Sequence, residues 1–270
     1  MTAAEKNEKL RNYLCELGSL AIAFSGGVDS TFLLKTAHEV LGDKALAITA
    51  NSRLVPRREL DEALAFCEKE GIKHIILDFD EMEVKGLSQN PPNRCYLCKK
   101  ELFIRIKSLA GEQGIAHVAE GSNTDDLGDY RPGRTAITEL DILCPMLHAQ
   151  LNKADIRQLS RDMGLPNWNK QPFACLASRF PYGEEITPKR LEMIEKAEQV
   201  LLDLGFSQLR VRYHGNLARI ETDEAGFALL SSSIREKIHS ELKAIGFTYI
   251  TIDLLGYRTG SMNETLELNK

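Results

Sequence analysis

What the 270-residue sequence lacks already narrows its class. No apolar run approaches the ~20 residues that a membrane helix needs, so no membrane partner is expected. The first residues, "MTAAEKNEKLRNYL", are charged and have no signal-peptide apolar core, which argues for a cytoplasmic protein. There is no basic excess. The 34 Lys and Arg residues face 39 Asp and Glu, a net charge of −5, and this argues against a large nucleic-acid footprint. Six cysteines in a reducing compartment are expected to be reduced, metal-bound or catalytic rather than disulfide-bonded. No internal repeat or low-complexity segment stands out. The length suits one large domain or two modest ones.

What is present alternates strand and helix over the first two-thirds. "LAIAFS", "ALAITA", "HIILDF", "AHVAEG" and "LDILCPM" read as five strands. Helical patterns fall between them: Asp29 to Leu41 closed by Gly42, a helix opened by Pro56 and closed by Gly71, another from about Leu97 to Leu109, and "KADIRQLSRDMG". That order implies an α/β fold, a doubly wound and mostly parallel sheet covered on both faces. Beyond "FPYGEEITP" the order becomes helix, hairpin ("SQLRVRYHG" and "LARIETD"), helix, strand ("YITIDLL"). A smaller C-terminal α+β domain is therefore expected over 184–270, after a first domain over 1–183. The closing "TGSMNETLELNK" reads as a tail.

The strongest local signal is "AIAFSGGVDSTFLL", a strand, then Ser25-Gly26-Gly27-Val28-Asp29-Ser30, then a helix. Backbone N–H groups around two glycines make an anion nest, and the helix N-terminus adds its dipole. Ser25 and Ser30 can add hydroxyl donors, and Asp29 can accept from the helix start or help hold Mg²⁺. The pattern is neither a Walker A loop nor a dinucleotide G-x-G-x-x-G. It resembles the PP-loop of ATP pyrophosphatases, which cleave ATP between its α and β phosphates and adenylate a substrate. The bland alternative is a Gly-Gly turn leading to a capping Asp or Ser. Ligands of doubly wound sheets sit at the carboxyl ends of strands, so Ala50, Asn51 and the stretch holding Gly121, Ser122, Asp125 and Asp126 join the expected nucleotide site. For that stretch a helix cap is an equal alternative.

The cysteines divide by context. Cys15 and Cys67 lie in amphipathic helical patterns and Cys144 in an apolar strand, so all three read as packing residues. Cys95 and Cys98 form a C-x-x-C in "PNRCYLCKKELF", and Cys175 lies in the loop-like "NKQPFACLASRFPYG" beside Arg179. Three thiolates suit a 4Fe–4S cluster with one open iron, or zinc with a fourth ligand. A redox C-x-x-C would leave Cys175 out. His74, His117 and His148 sit in or near strand patterns, and none is an obvious zinc ligand.

"SGGVDS", "GSNTDDLGDYRPG", "CLASRFPYGEEIT" and "LRVRYHGNLARIE" together resemble the LarE family over nearly the whole chain. The resemblance implies an ATP-dependent sulfur transferase acting in biosynthesis of the nickel-pincer nucleotide cofactor of lactate racemase. It implies adenylation of a carboxylate of a pyridinium dicarboxylate mononucleotide, then displacement of AMP by sulfur. In single-cysteine members the cysteine matching Cys175 donates its own sulfur. The added Cys95 and Cys98 make this chain similar to a three-cysteine branch, with a 4Fe–4S cluster on Cys95, Cys98 and Cys175. The resemblance also implies a homo-oligomer, a hexamer. Arg210 and Arg212, two apart on a strand, share a face and suit a phosphate clamp; surface charge on an edge strand is the alternative. Glu198 is a weaker candidate from the same region, and Ser178 and Arg179 could orient substrate or AMP.

Three other functions compete. A PP-loop tRNA thiolase shares the chemistry but needs a phosphate-backbone footprint. An amide synthase of the NAD or GMP synthetase type needs no cysteine triad. A nucleotide-binding module with a structural zinc would release no pyrophosphate.

Overall fold

The computed structural model describes residues 1–128, 132–171, 174–258 and 260–263. Asp129 to Arg131 of "GSNTDDLGDYRPG" and most of the expected tail lie outside the described residues. The chain forms two compact units, Met1–Asp80 with Asn93–Phe173, and Glu81–Pro92 with Ala174–Lys270.

In the first unit, helix α1 (Ala3–Leu17) starts on a Thr2–Glu5 capping box. Then come β1 (Leu20–Ala23), α2 (Val28–Leu41), β2 (Ala45–Asn51), α3 (Arg57–Glu70), β3 (His74–Asp78), α4 (Arg94–Glu112), β4 (Val118–Ala119), α5 (Gly133–Glu139), α6 (Pro145–His148) and α7 (Lys153–Asp162). The sheet has the order β3-β2-β1-β4 and is parallel throughout. Strand periodicity splits its core in two. Leu20 and Ile22 of β1 pack in a cluster with Phe32 and Leu33 of α2, Phe66 of α3 and Ile156 of α7. Ala21 of β1 joins Leu46 and Ile48 of β2 in the opposite cluster, with Phe103 and Ile106 of α4 and Ile137 of α5. Helices thus cover both faces, as a doubly wound sheet requires. The order reverses between β1 and β4, and the loops after these two strands flank that switch point.

One expected strand is nearly absent. "LDILCPM" contributes a single parallel bridge, Leu143 to Ala119. Asp141 takes a left-handed φ of 52° just before it, and Pro145 opens α6 just after. Few residues remain to extend, and proline has no N–H for a ladder.

The second unit contains α8 (Pro188–Asp203), β5 (Leu209–His214), β6 (Leu217–Thr222), α9 (Glu224–Ala228), α10 (Ser232–Ile245) and β7 (Tyr249–Ile252). The order is β5-β6-β7, with β5 and β6 antiparallel and β6 and β7 parallel. One sheet face buries Val211 and Tyr213, with Leu191, Ile194 and Leu201 of α8 among the unit's buried residues. The Tyr213 ring lies 5.1 Å from Phe180 and 6.2 Å from Phe247.

This unit begins at Ala174 rather than near residue 184, and it takes in 81–92. Hydrogen bonds explain both facts. Asn90 Nδ2 donates to the Pro181 carbonyl at 2.7 Å, Gly183 N–H to Asn90 O at 3.0 Å, and Ile186 N–H to Ser88 O at 2.8 Å. Partners so far apart in sequence leave no periodic trace.

Candidate active site

The loop after β1 is shaped to receive an anion. Gly26 sits at φ 70°, a conformation open to glycine at no cost. Gly27 is the N-cap of α2 and makes no side-chain cap bond. The capping alternative for Asp29 and Ser30 is therefore not what the loop does, and the first-turn N–H groups stay available to a ligand. The serines brace the turn. Ser30 Oγ donates to Gly27 O at 3.2 Å, accepts from the Ser25 N–H at 3.4 Å, and lies 3.1 Å from Ser25 Oγ.

Asp29 points elsewhere. Its Oδ2 accepts from Lys153 Nζ at 2.5 Å, while Oδ1 is buried with no hydrogen-bond partner. Burial raises the Asp29 carboxyl above the usual aspartate range, and Lys153 offsets this only in part. An orphaned buried carboxylate oxygen beside a phosphate loop fits a divalent cation. Lys153 opens α7, where its positive charge opposes the helix dipole. In the sequence it is one more residue of an amphipathic helix, and that unfavourable placement is the signal that could have marked it.

The loop after β4 abuts this turn. A Cβ on Gly121 would stand 3.1 Å from Ser30 N and 3.3 Å from Ser30 Cα, so a larger residue would push this backbone apart. The residues beyond it work locally. Asn123 N–H donates to Asp126 Oδ2 at 2.9 Å, and Asp125 N–H to Asn123 Oδ1 at 3.0 Å, around the 3₁₀ turn Thr124–Gly128. Asp125 Oδ2 accepts from the Lys153 N–H at 3.0 Å. The Ser122 N–H donates to Glu120 Oε1 at 3.1 Å. Ala50 and Asn51 end β2, where Asn51 Nδ2 donates to Asp78 Oδ1 at 2.7 Å.

Cys95 and Cys98 lie in the first turn and a half of α4, the former exposed and the latter half-buried. Next to them Lys99 reaches Glu120 Oε2 at 3.4 Å, tying this turn to the end of β4. Cys67 and Cys144 are packing residues, as expected, with thiols pushed up to about 12 by burial, whereas Cys15, expected to pack as well, is exposed on α1.

In the second unit, Cys175 is exposed and precedes a 3₁₀ turn, Leu176–Arg179. Arg179 is fully buried. Its Nε and one terminal nitrogen grip Glu198 at 2.9 Å each. Its other terminal nitrogen donates to the carbonyls of Ala174 and Cys175 and to Ser178 Oγ. Glu198 Oε1 also takes the Val211 N–H at 3.0 Å. Burial pushes the Glu198 carboxyl up, but Arg179 and that N–H outweigh it and hold it below the usual range. On the polar face of the sheet, Arg212 donates to Ser178 O at 2.9 Å, Glu221 Oε2 at 2.6 Å and Ser261 Oγ at 3.0 Å. Arg219 reaches Glu221 and Asp253. Arg210 is only half-buried and lies over the Tyr257 ring, 5.1 Å from its centroid.

No family model matches the chain. It is 38% identical over 98% of its length to the pyridinium-3,5-bisthiocarboxylic acid mononucleotide synthase of Lactiplantibacillus plantarum, covering 96% of that protein. The chain belongs to the LarE family. It is also 43% identical over 97% of its length to an uncharacterized protein of Synechocystis, covering 98% of it. More distant is one component of the glutamine-hydrolyzing GMP synthase of Thermoplasma acidophilum, at 24% identity over 98% of this chain and 88% of that one.

Within this LarE-family chain the expected site residues divide. Ser25, Gly26, Gly27, Asp29, Ser30 and Gly121 converge in one place. Arg179 and Glu198, expected to meet substrate or AMP, are instead buried against each other and position the Cys175 turn. Arg212 is buried and committed to Ser178, Glu221 and Ser261, whereas Arg210 donates to the Leu209 carbonyl at 2.6 Å and is the more solvent-exposed of the two expected clamp residues. Glu221 was missed, although its register opposite Arg210 puts a fully buried carboxylate among arginines. Cys95 and Cys98 belong to one unit and Cys175 to the other. Among the described residues no three Cys, His, Asp or Glu side chains are grouped to hold a metal ion. Nor is any helix among them long and apolar enough to cross a membrane.

Proposed function

We propose that this protein is an ATP-dependent sulfur transferase that converts a carboxylate of a pyridinium dicarboxylate mononucleotide into a thiocarboxylate. The observation that carries this is the uncapped N-terminus of α2 beside the Asp29–Lys153 pair, in a chain 38% identical to a synthase of the bisthiocarboxylate. The loop from Ser25 to Ser30 binds the pyrophosphate end of ATP through backbone N–H groups. Asp29, through its unpartnered oxygen, holds Mg²⁺, which when bound neutralises phosphate charge. Lys153 is within reach of the same phosphates. The substrate carboxylate attacks the α-phosphorus; the bond from that phosphorus to the bridging oxygen breaks and pyrophosphate leaves. The acyl-adenylate is then attacked at its carbonyl carbon by sulfur. The C–S bond forms, the C–O bond breaks, and AMP departs with the electron pair. That intermediate is hydrolysed by water, so the sulfur must meet it faster than solvent does.

In this reading Cys175, on a turn fixed by Arg179, is that sulfur: its Sγ forms a thioester with the substrate, and loss of the Cα proton with cleavage of the Cβ–Sγ bond then releases the thiocarboxylate and leaves dehydroalanine at position 175. The finer expectation is a 4Fe–4S cluster on Cys95, Cys98 and Cys175; the C-x-x-C at the start of α4 and the exposed Cys175 supply the thiols that would hold it. When bound, such a cluster would supply sulfide already deprotonated. Arg210 is proposed as the substrate-phosphate contact, and the assembly as a homo-oligomer, which sedimentation would measure.

The deciding test is pyrophosphate release on adding ATP, Mg²⁺ and the pyridinium dicarboxylate mononucleotide, with thiocarboxylate read by mass spectrometry. Cys175→Ser should release pyrophosphate and form no thiocarboxylate; no pyrophosphate from the wild type would remove the proposal. Anaerobic iron content and Cys95→Ala separate the sulfur sources. Iron-loaded protein whose multiple turnover fails in the variant supports the cluster, whereas dehydroalanine at position 175 supports a sacrificial thiol.

A further inference from the structure

One side chain far along the sequence holds the turn of the phosphate loop. Asn167 follows α7, and its Nδ2 donates to the Gly26 carbonyl at 3.0 Å and to Thr31 Oγ1 at 2.8 Å. A carbonyl can only accept, so the amide is fixed with its nitrogen toward the loop. Asn167 Oδ1 is buried with no hydrogen-bond partner. The residue is therefore held by its donor end alone. Gly26 is the left-handed residue of the turn. A carbonyl engaged by Asn167 cannot swing toward a bound phosphate, where its negative end would oppose the anion.

The segment bearing Asn167 is itself fastened. Arg157 donates to the carbonyls of Trp168 at 3.1 Å and Lys170 at 2.9 Å. Lys170 Nζ reaches Glu59 at 2.7 Å and Glu62 at 2.5 Å on α3. Residues 166–170 thus form a strap anchored on α7, on α3 and, through Asn167, on the phosphate loop.

We infer that Asn167 is the positioning residue of the phosphate loop, keeping the Gly26 carbonyl off the anion and coupling the loop to the strap. This deepens the proposed function and rests on the loop being the triphosphate site. The chain carries its own probe. Its single tryptophan, Trp168, is the next residue on the strap and is partly exposed with Arg161 over its ring.

The experiment titrates the full-length protein with Mg²⁺ and the α,β-methylene analogue of ATP, following Trp168 emission and, separately, heat of binding. In the wild type both signals should saturate with one Kd. Asn167→Ala should weaken binding about tenfold, the net worth of one or two neutral hydrogen bonds, and lose the emission change. Asn167→Asp should weaken it further, because a carboxylate cannot donate to Gly26 and brings charge toward the phosphates. A residue that merely fills space predicts the reverse order, since Asp replaces the volume that Ala removes. Asp is also nearly isosteric, so it carries the test if the Ala variant unfolds. Wild-type affinity in both variants would overturn the role of Asn167 and leave the ATP site standing. Heat of binding without any emission change in the wild type would overturn the coupling to the strap. No binding at all would remove the ATP reading and this inference with it.

Discussion

The phosphate loop of the first unit and the arginine-rich sheet face of the second both have the makings of an anion site, and they are built in opposite ways. The loop uses backbone: glycines, an uncapped helix start, and serines that bond within five residues of themselves. The sheet face uses side chains, Arg179, Arg210, Arg212 and Arg219, with Glu198, Glu221 and Asp253 set among them. Most of that positive charge is spent on internal partners. A backbone site stays free because its peptide groups are held in place, by the turn itself and by the Asn167 bond to the Gly26 carbonyl. Buried guanidinium groups must be paired to be tolerated at all.

The contrast can be broken at its strongest point by Asp29→Ala. It should cut adenylation by about a hundredfold or more, the scale on which lost charge stabilisation acts in active sites, while the unfolding transition stays cooperative. Its stability effect has a definite sign. The Asp29 carboxyl is raised by burial, so the folded state is favoured below the ordinary aspartate range and that advantage is lost as pH rises through the raised value. Asn at this position should therefore raise Tm at neutral pH and change little near about pH 3. Lost activity together with lost stability would place Asp29 in the scaffold.

Next in size is Arg179→Ala, which strands Glu198 in a buried site. Breaking such a pair costs about 3–5 kcal/mol, measured as a lower denaturation midpoint, with pyrophosphate release per folded molecule maintained. Glu198 titrates below the usual range. Its contribution is complete above that range and disappears as pH falls through the lowered value, so the gap between wild type and variant should close in acid. A gap independent of pH would show that the pair is not what the variant breaks.

Arg210→Ala sharpens the comparison within one strand. Arg210 is half-exposed and Arg212 is committed to internal partners, so the first should raise the substrate KM about tenfold, the scale of one charge-assisted hydrogen bond, with ATP binding unchanged. Arg212→Ala should instead lower stability. Equal effects from both would erase the distinction. The smallest effect is expected at Cys144, whose thiol is pushed up to about 12 by burial and Glu120. Iodoacetamide should label the exposed Cys95 and Cys175 well before it, and peptide mapping reads the order.

The local parts of the molecule could be read from the chain. Periodicity marked β1, α2 and the β5–β6 hairpin, and the S-G-G-x-D-S spacing marked the glycine turn between β1 and α2, because each depends on neighbours within a few residues. "LDILCPM" misled because its apolar pattern is real, while Asp141 and Pro145 limit it to one bridge. Arg179 misled in a different way. A charged residue beside a cysteine in a loop reads as chemistry, and only burial against Glu198, from the next helix, reveals a brace.

The sequence by itself determined the alternation of elements, the glycine turn that leads into α2, and which cysteines lie outside apolar runs. Tertiary structure alone decided that Lys153 meets Asp29, that Asn167 holds Gly26, and that 81–92 belongs with the second unit. The reason is that backbone conformation and burial pattern are set by short-range sterics and periodicity. Partners for buried charges and amides are chosen by whichever donors the completed fold brings within about 3 Å, and those come from more than a hundred residues away in the cases of Lys153 and Asn167.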